Sequence, residues 1–553
     1  MASEAFDYII VGAGSAGCVL ADRLTADRRS RVLLLEYGGN DRSMFIQMPS
    51  ALSIPMNMEK YNWFYHSEPE PGLGGRRLHT PRGKVLGGSS SINGLVYIRG
   101  NALDFEGWQE KGARGWAYRD VLPYFKRAEC RQEGGNQYRG ASGRLMTRYG
   151  TLSNPLHAAW LAAAQQAGYP RTDDVNGFQQ EGFGRMDMTV GNGRRWSAAN
   201  AYLRPAMRRP NLTVLTHALA TRIVFEGRRA TEVEFLRGQA PQRARASREI
   251  ILCGGSINSP QLLKLSGVGP ESELRALGVP VTHHLPGVGE NLQDHLEFYF
   301  QVACREPVTL YSSIGTLSRA RIGLRWLLFK DGLGATNHFE SCGFIRSRAG
   351  IRYPDIQFHF LPMAVAYDGS TLAQEHGFQA HVGPMRSKSR GWVRLASVDP
   401  RDKPRIMFNY LSHPDDLREM RACVRLTREI FGQNAFDRYR GRELQPGSAV
   451  TADEQIDEFV RAKVESAYHP SCSCKMGAGD DAMAVVDPET RVRGLDSLRV
   501  VDSSIMPQIT NGNLNAPTIM LAEKAADHIL GRGMLPAEDA PYYEADDWRE
   551  RQR

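Results

Sequence analysis

An apolar run at residues 8–11 enters Gly12-x-Gly14-x-x-Gly17, and residues 18–24 then place apolar side chains at helical spacing. A second apolar run, residues 32–35, ends in Glu36. This strand, turn, helix, strand and terminal acid constrain the fold more than any other stretch, because each part has its own physical task. Gly12 permits the tight turn, Gly14 lets a pyrophosphate approach the backbone, and Gly17 lets the helix pack closely on the strand. Ser15 and Ala16 open the helix, whose unpaired N–H groups and dipole favour phosphate. Glu36 is placed to accept hydrogen bonds from both adenosine ribose hydroxyls, which argues against a phosphorylated ribose. With 55 glycines in 553 residues a bare glycine match is weak; the complete unit predicts dinucleotide binding. NAD and FAD use the same cradle, so this unit alone leaves both open.

A chain of 553 residues calls for two or three domains. Its 69 basic and 61 acidic residues leave a net charge of +8, spread along the chain as at Arg76-Arg77 and residues 243–248. That is a mild surface bias and no nucleic-acid footprint. The basic stretch 227–248 reads as a solvated hairpin or loop. The uncharged run 8–21 is preceded by Glu4 and Asp7 where a secretory signal needs basic residues, and it carries the glycine pattern, so it is fold and no leader. No run of about twenty apolar residues occurs, and residues 505–522 contain Gln508, Asn511, Asn513 and Asn515, so any membrane contact must be peripheral. Cys18, Cys130, Cys253, Cys304, Cys342, Cys423, Cys472 and Cys474 show no paired metal spacing, so no metal is expected and the thiols are expected reduced.

Strand-like runs cluster at residues 212–215, 221–225, 231–235 and 250–253, and the last enters a Gly-Gly turn at 254–255. Residues 311–460 differ, with alternating strands at 355–361 and 391–395 that suit an antiparallel sheet covered by helices. A buried strand at 498–502 and a helix at 518–530, stopped by Gly531, close the folded part. The expected class is α/β, α+β overall, with a substrate domain inserted into a discontinuous dinucleotide domain. The boundaries read as 1–155, 210–310 and 461–535 for the first, 156–209 and 311–460 for the second, and 536–553 for a tail.

Residues 81–100 form a Gly/Ser loop that offers many backbone donors. On composition alone it reads equally well as a linker. Together with residues 255–269 it resembles the two signature motifs of the glucose-methanol-choline oxidoreductase family, and the resemblance runs to about residue 535. It implies FAD, held by the amino-terminal unit and by Arg82, Gly87, Ser91, Asn93, Val224, Asp502 and Thr518. Covalently flavinylated members use a His in the loop where this chain has Ile92, so the flavin is expected to be noncovalent.

Alcohol oxidation needs a base for the hydroxyl proton and a polar group that orients the oxygen. A lone His is more often structural than catalytic. Residues 467–477, around His469, and 513–520, around Asn515, nevertheless resemble the family's active-site His and its partner, which implies that His469 and Asn515 are catalytic. Pro517 near the start of the last helix would turn free N–H groups toward the flavin pyrimidine. Glu297 resembles the residue that choline-oxidising members turn toward a trimethylammonium group, which offers no N–H and is recognised by carboxylates and aromatic faces. Phe339, beside Glu340, and His359 follow the order of an active-site aromatic and second His in those members; Trp63 and Tyr61 are further aromatics. Two departures stand out: Ser-Cys-Ser-Cys follows Pro470, where relatives commonly have Gly-Thr, and Tyr37 follows Glu36 where a small residue is usual, which crowds the adenine end.

The resemblance is strongest to bacterial choline-oxidising members. It implies choline converted to betaine aldehyde and on to glycine betaine, with electrons passed to a quinone-type acceptor, in the bacterial cytoplasm or peripherally on the cytoplasmic face of the inner membrane. Alternatives are a dehydrogenase of uncharged primary alcohols, a hydroxynitrile-lyase-like flavoprotein and a flavin-binding protein without catalysis.

Overall fold

The computed structural model describes residues 5–365 and 375–553; Glu4, used above against a leader, lies outside them. Two seven-stranded sheets organise the chain. In the first, Ala5–Val11 runs parallel to Val32–Leu35 on one side and to Ala240–Leu252 on the other, with Leu212–Leu215 and Leu498–Val500 added in parallel. Val32–Leu35 is buried along its whole length, as a parallel strand covered on both faces must be, which is why it reads as a continuous apolar run. Arg229–Arg237 and Ala240–Leu252 form the antiparallel hairpin expected from the basic stretch. The helices Ser15–Leu24 and Asn515–Ile529 pack against one another beside this sheet.

The second sheet is antiparallel, in the order Arg440–Gln445, Leu296–Cys304, Gly377–Pro384, Ile356–Leu361, Ser341–Ile345 and Gly182–Arg185. Its strands alternate. Phe298, Phe300, Phe358, Phe360 and Phe378 join the apolar core with Trp160 and Phe431 from the helices Pro155–Gln166 and Pro414–Phe431. Glu297, Gln301, Gln357, His359, Gln379 and His381, at the intervening positions, fall on the opposite face and are also buried. A buried face this polar marks a binding surface.

Three expectations need correction. Leu296–Cys304 belongs to the second sheet, so the expected boundary at 310 falls too late; a β-run ending one domain and a β-run opening the next have the same period. Gly391–Arg394 pairs instead with Glu290–Leu292 and Arg405–Met407 in a separate small sheet. The last helix starts at Asn515, three residues earlier than expected, which makes Pro517 its third residue, a position that needs no intrahelical N–H partner.

Candidate active site

One cavity is lined both by the amino-terminal turn and by the polar face of the second sheet. Gly12, Gly14, Ser15, Ala16 and Glu36 line one part. Gly12 has φ 103°, and a Cβ there would come within 2.5 Å of the Cys253 carbonyl. A Cβ on Gly17 would come within 1.9 Å of the Gly12 carbonyl, so Gly17 serves helix packing and does not line the cavity. Gly88 lies against Gly14, where a Cβ would reach 2.6 Å from its Cα, and the Gly87 N–H donates to the Ala13 carbonyl at 2.8 Å. The two glycine turns thus form one floor.

This floor fits a dinucleotide. Gly14 and Leu514, which precede the helices Ser15–Leu24 and Asn515–Ile529, make no side-chain cap, and the starts of both helices line the cavity with N–H groups available to an anion. The Glu36 carboxylate accepts from the Ala13 N–H at 2.9 Å and the Gly38 N–H at 2.7 Å, which aims it into the cavity. Burial pushes its pKa up to about 7, against these two hydrogen bonds. Arg82, Asn93, Asp502 and Thr518 line the cavity as expected. The Arg82 Nη2 donates to the Tyr468 carbonyl at 2.5 Å, and burial lowers the guanidinium to about 10. Asp502 turns its carboxylate to the Gly255 N–H and the Ser259 hydroxyl, leaving its backbone to meet a cofactor.

Three expected cofactor contacts are displaced. Gly87 and Ser91 lie behind the cavity wall, with the Ser91 hydroxyl donating to the Leu86 carbonyl at 2.7 Å; Gly88, Ser89 and Ser90 line it instead. Val224 sits toward the hairpin end of its strand, paired with Glu232, while Ala218, Leu219 and Ala220 at the start of the strand reach the cavity. Ile92 lines the cavity with an alkyl group that offers no nucleophile to a flavin.

At the other end, two sequence stretches are zipped together. Leu296 and Glu297 pair with Ser466 and Glu465, the Ala467 N–H donates to the His295 carbonyl, and Gln293 and Ser471 bond each other. Asp294 clamps the turn, its carboxylate accepting the backbone N–H of His469 at 2.7 Å and the hydroxyls of Tyr410 and Ser466. Burial raises its pKa to about 6. Tyr468 and Cys472 take left-handed φ values of 64° and 71°, strained for such residues and located on either side of His469.

The hydrogen-bond directions follow from one fixed acceptor. His295 Nε2 lies 3.0 Å from the Met385 carbonyl and must donate, so in neutral His295 the Nδ1 is an acceptor. It sits 3.0 Å from His469 Nδ1, which therefore carries the proton and leaves Nε2 of neutral His469 with a lone pair. Asn513 Nδ2 donates to that Nε2 at 3.1 Å, while Asn513 Oδ1 accepts from His359 Nε2 at 3.2 Å. Burial first, then His295, His359 and Arg82, push the pKa of His469 well below the usual histidine range. His469 is thus a neutral base with its lone pair beside an amide donor.

The group beside His469 is therefore Asn513, and the expectation for Asn515 is corrected. Asn515 Oδ1 accepts the Ser15 hydroxyl at 2.9 Å and ties together the starts of the two helices that flank the dinucleotide floor. Two residues along a chain entering a helix point in quite different directions, so spacing within a Gly/Asn-rich stretch could not choose between them. His295 and His381 were also missed. His381 stands opposite His359 in the ladder and was legible from the alternation of residues 377–382; His295 had no signal beyond its place two residues before Glu297.

Glu297, Phe339 and His359 line the cavity near His469, as expected. Glu297 Oε1 is 3.0 Å from His381 Nδ1. Gln379 is oriented by the N–H and carbonyl of Val365, so its Nε2 donates to His381 Nε2 at 2.7 Å, and His381 donates to Glu297 from Nδ1. In that tautomer His381 gives Glu297 a hydrogen bond and no countercharge. The Phe339 ring packs edge-on against His381 and His359, with centroids 5.3 and 6.1 Å away. Trp63 lines the cavity but sits between Tyr37 and Tyr65, at centroid distances of 5.0 and 5.7 Å, which ties it to the Glu36 end more than to His469. Tyr61 packs with Ile46, Val85 and Ile92 and does not line the cavity.

A dinucleotide floor continuous with a neutral base and an oriented amide defines an oxidoreductase that takes hydride from a small hydroxylated substrate. Family models described as GMC oxidoreductase match residues 6–297 and 387–522. The chain is 61% identical over 529 residues to the oxygen-dependent choline dehydrogenase of Brucella ovis, covering 96% of each chain. It is 58% identical over 550 residues to the protein of the same name from Photobacterium profundum, covering 99% of this chain and 97% of the other. Pyridoxine 4-oxidase from Mesorbium loti has the same fold, with a TM-score of 0.86 and 31% identity over 95% of this chain and 99% of that one. The chain belongs to the GMC oxidoreductase family and is an FAD-dependent enzyme.

Proposed function

We propose that the enzyme is a choline dehydrogenase, oxidising choline to betaine aldehyde and, through the aldehyde hydrate, to glycine betaine. The observation that carries this reading is that Glu297 and His469, on two paired backbone segments, line one cavity. A carboxylate and the Phe339 face suit a methylated ammonium, and a base in the same pocket suits the hydroxyl two carbons away. The high identity to curated choline dehydrogenases supports it.

In this reading the substrate hydroxyl displaces the Asn513 Nδ2–H from the lone pair of His469 Nε2, so that Nε2 takes the hydroxyl proton while the freed Nδ2–H orients the substrate oxygen. His295 receives the Nδ1–H of His469 and keeps the ring in register while it carries the proton. Glu36, the turn at residues 12–17, Arg82 and the start of the helix Asn515–Ile529 hold the cofactor. Bound FAD supplies the hydride acceptor. Phe339 and His359 wall the pocket, with His381 packed against Phe339, and limit water.

Anaerobic mixing tests the reading: choline should bleach the flavin rapidly and simple uncharged alcohols slowly. Equal bleaching by both would favour a general alcohol dehydrogenase, and none by either a lyase-like flavoprotein. For the acceptor we propose a quinone, on the cytoplasmic face of the inner membrane. The names of the relatives favour O2 as a second reading. Reoxidation of the substrate-reduced enzyme by a soluble quinone and by air-saturated buffer, compared in stopped flow, separates them.

A further inference from the structure

The strand Arg194–Arg195 forms a hairpin with Val190–Gly191, and its alternation leaves Arg194 exposed and turns Arg195 wholly inward. Among the described residues five arginines are at most 4% exposed. Four of them meet a carboxylate: Arg99 and Arg139 reach Glu129 at 2.5 and 2.6 Å, Arg346 reaches Glu181 at 2.8 Å and Arg499 reaches Glu249 at 2.7 Å. The fifth, Arg195, meets none among the described residues and is held by neutral acceptors. Its Nε donates to the Ile46 carbonyl at 2.8 Å, and its Nη1 to the carbonyls of Ser90 and Asn93 at 3.2 and 2.7 Å and to Asn93 Oδ1 at 2.8 Å. Its buried Nη2 has no partner. Burial lowers its pKa to about 9, which leaves the guanidinium charged at neutral pH. A buried cation without a partner is costly, and it points to a ligand that brings the opposite charge.

We propose that Arg195 is the fixed countercharge for the negative charge that the flavin ring gains on reduction, acting as a positioning residue from behind the wall formed by Ser90 and Asn93. Both of those residues line the cavity, and Arg195 stands one layer behind them. FAD brings negative charge in two places, the pyrophosphate in both redox states and the ring once it is reduced. The pyrophosphate is served by the turn at residues 12–17 and by the starts of two helices, and the loop reaches that floor through Gly88, which packs on Gly14. The contacts of Arg195 run further along the loop, toward the substrate. There the Gly94 carbonyl accepts from Asn337 Nδ2 at 2.9 Å, and Asn337 Oδ1 accepts the Phe339 N–H at 3.1 Å, which joins the stretch held by Arg195 to the aromatic wall of the substrate pocket. A cation fixed in a dry interior stabilises charge that develops beside it without having to reorganise. The role is independent of which alcohol supplies the hydride.

The midpoint potential of the holoenzyme, titrated anaerobically with dithionite against a reference dye, tests this without any substrate. In Arg195→Met and Arg195→Gln the ratio of reduced to oxidised flavin at a fixed potential should fall about tenfold, a shift of about 30 mV for a two-electron couple, while Arg195→Lys should stay close to the wild type. The Gln variant keeps N–H groups for the Ser90 and Asn93 carbonyls, so the charge can still be tested if the Met variant fails to fold. Sulfite gives a second reading with no change of redox state, because its sulfur lone pair adds to the oxidised flavin and leaves the ring anionic. It should bind both neutral variants about tenfold more weakly and Arg195→Lys as it binds the wild type. Weaker FAD retention at an unchanged potential would assign the charge to the pyrophosphate and overturn the proposal. So would a potential that falls as far in Arg195→Lys as in the neutral variants, which would leave Arg195 only packing the loop, and so would neutral variants that match the wild type in both readings.

Discussion

His295 Nδ1 and His469 Nδ1 face each other across 3.0 Å, and the Met385 carbonyl behind His295 decides which of the two carries the proton. His295 is a positioning residue under this arrangement. His295→Leu removes the acceptor and frees the imidazole of His469 to change tautomer, so kcat for flavin reduction should fall by about 10²-fold with little change in KM. His295→Gln, whose amide oxygen can accept in place of Nδ1, should recover much of the loss. Equal defects in both variants would mean that His295 only fills space.

The depressed pKa of His469 sets a pH dependence. The base works unprotonated, and burial with three positively charged or chargeable neighbours disfavours its protonated form. The proton is therefore already lost below the usual histidine range, and activity disappears only as pH falls through that lowered value. The acid limb of kcat/KM should lie below 6.5, with no loss between pH 6.5 and 8 from this group. An acid limb above 7 would assign the base elsewhere.

Asn513 and Asn515 should separate cleanly. Asn513→Ala removes the donor 3.1 Å from His469 Nε2 and should slow flavin reduction by about 10²-fold while FAD stays bound. Asn515→Ala breaks the link to Ser15 and should loosen FAD with a smaller effect on the rate of the loaded enzyme. The reverse pattern would restore Asn515 as the partner of the base.

The contrast between these two residues shows where sequence reading stops. The dinucleotide unit was legible because local spacing alone sets its geometry: Gly12 makes the left-handed turn, Gly17 packs against it, and Gly14 and Glu36 line the cavity. His469 and Glu297 were legible only through resemblance. Their meeting depends on the antiparallel pairing of residues 293–297 with 465–471, a contact between distant segments with no local signature. His295 and Asn513 depend on that pairing and on side-chain directions in irregular turns. Val224 and Ser91 were misplaced by a few residues along correctly identified elements, and in a strand or tight turn one residue is enough to face the wrong side.

Glu36 makes FAD retention pH-dependent. As a carboxylate it would accept from ribose hydroxyls of bound FAD; burial raises its pKa to about 7, so the protonated form that lacks this capacity gains below that pH. Apoenzyme should bind FAD more tightly as pH rises through about 7, and Glu36→Ala should weaken binding by roughly 1.5–3 kcal/mol and flatten the dependence. Because Ile92 offers no attachment point, acid precipitation should release the flavin to the supernatant. Colour retained on the washed pellet would refute the noncovalent reading.

Glu297 should select for charge. Choline and 3,3-dimethylbutanol share a shape, but only choline carries the cation that a buried carboxylate attracts at low local dielectric. Glu297→Gln preserves the side chain's size and its place beside His381 while removing the charge. It should raise KM for choline on the order of 10–100-fold and leave that for 3,3-dimethylbutanol nearly unchanged. The net charge of +8 sharpens the contrast, because the protein's overall field repels choline and a local carboxylate must reverse it. Equal losses on both alcohols would reduce Glu297 to holding the sheet together at His381. An unchanged KM for choline would place the cation elsewhere and bring the general alcohol dehydrogenase reading forward.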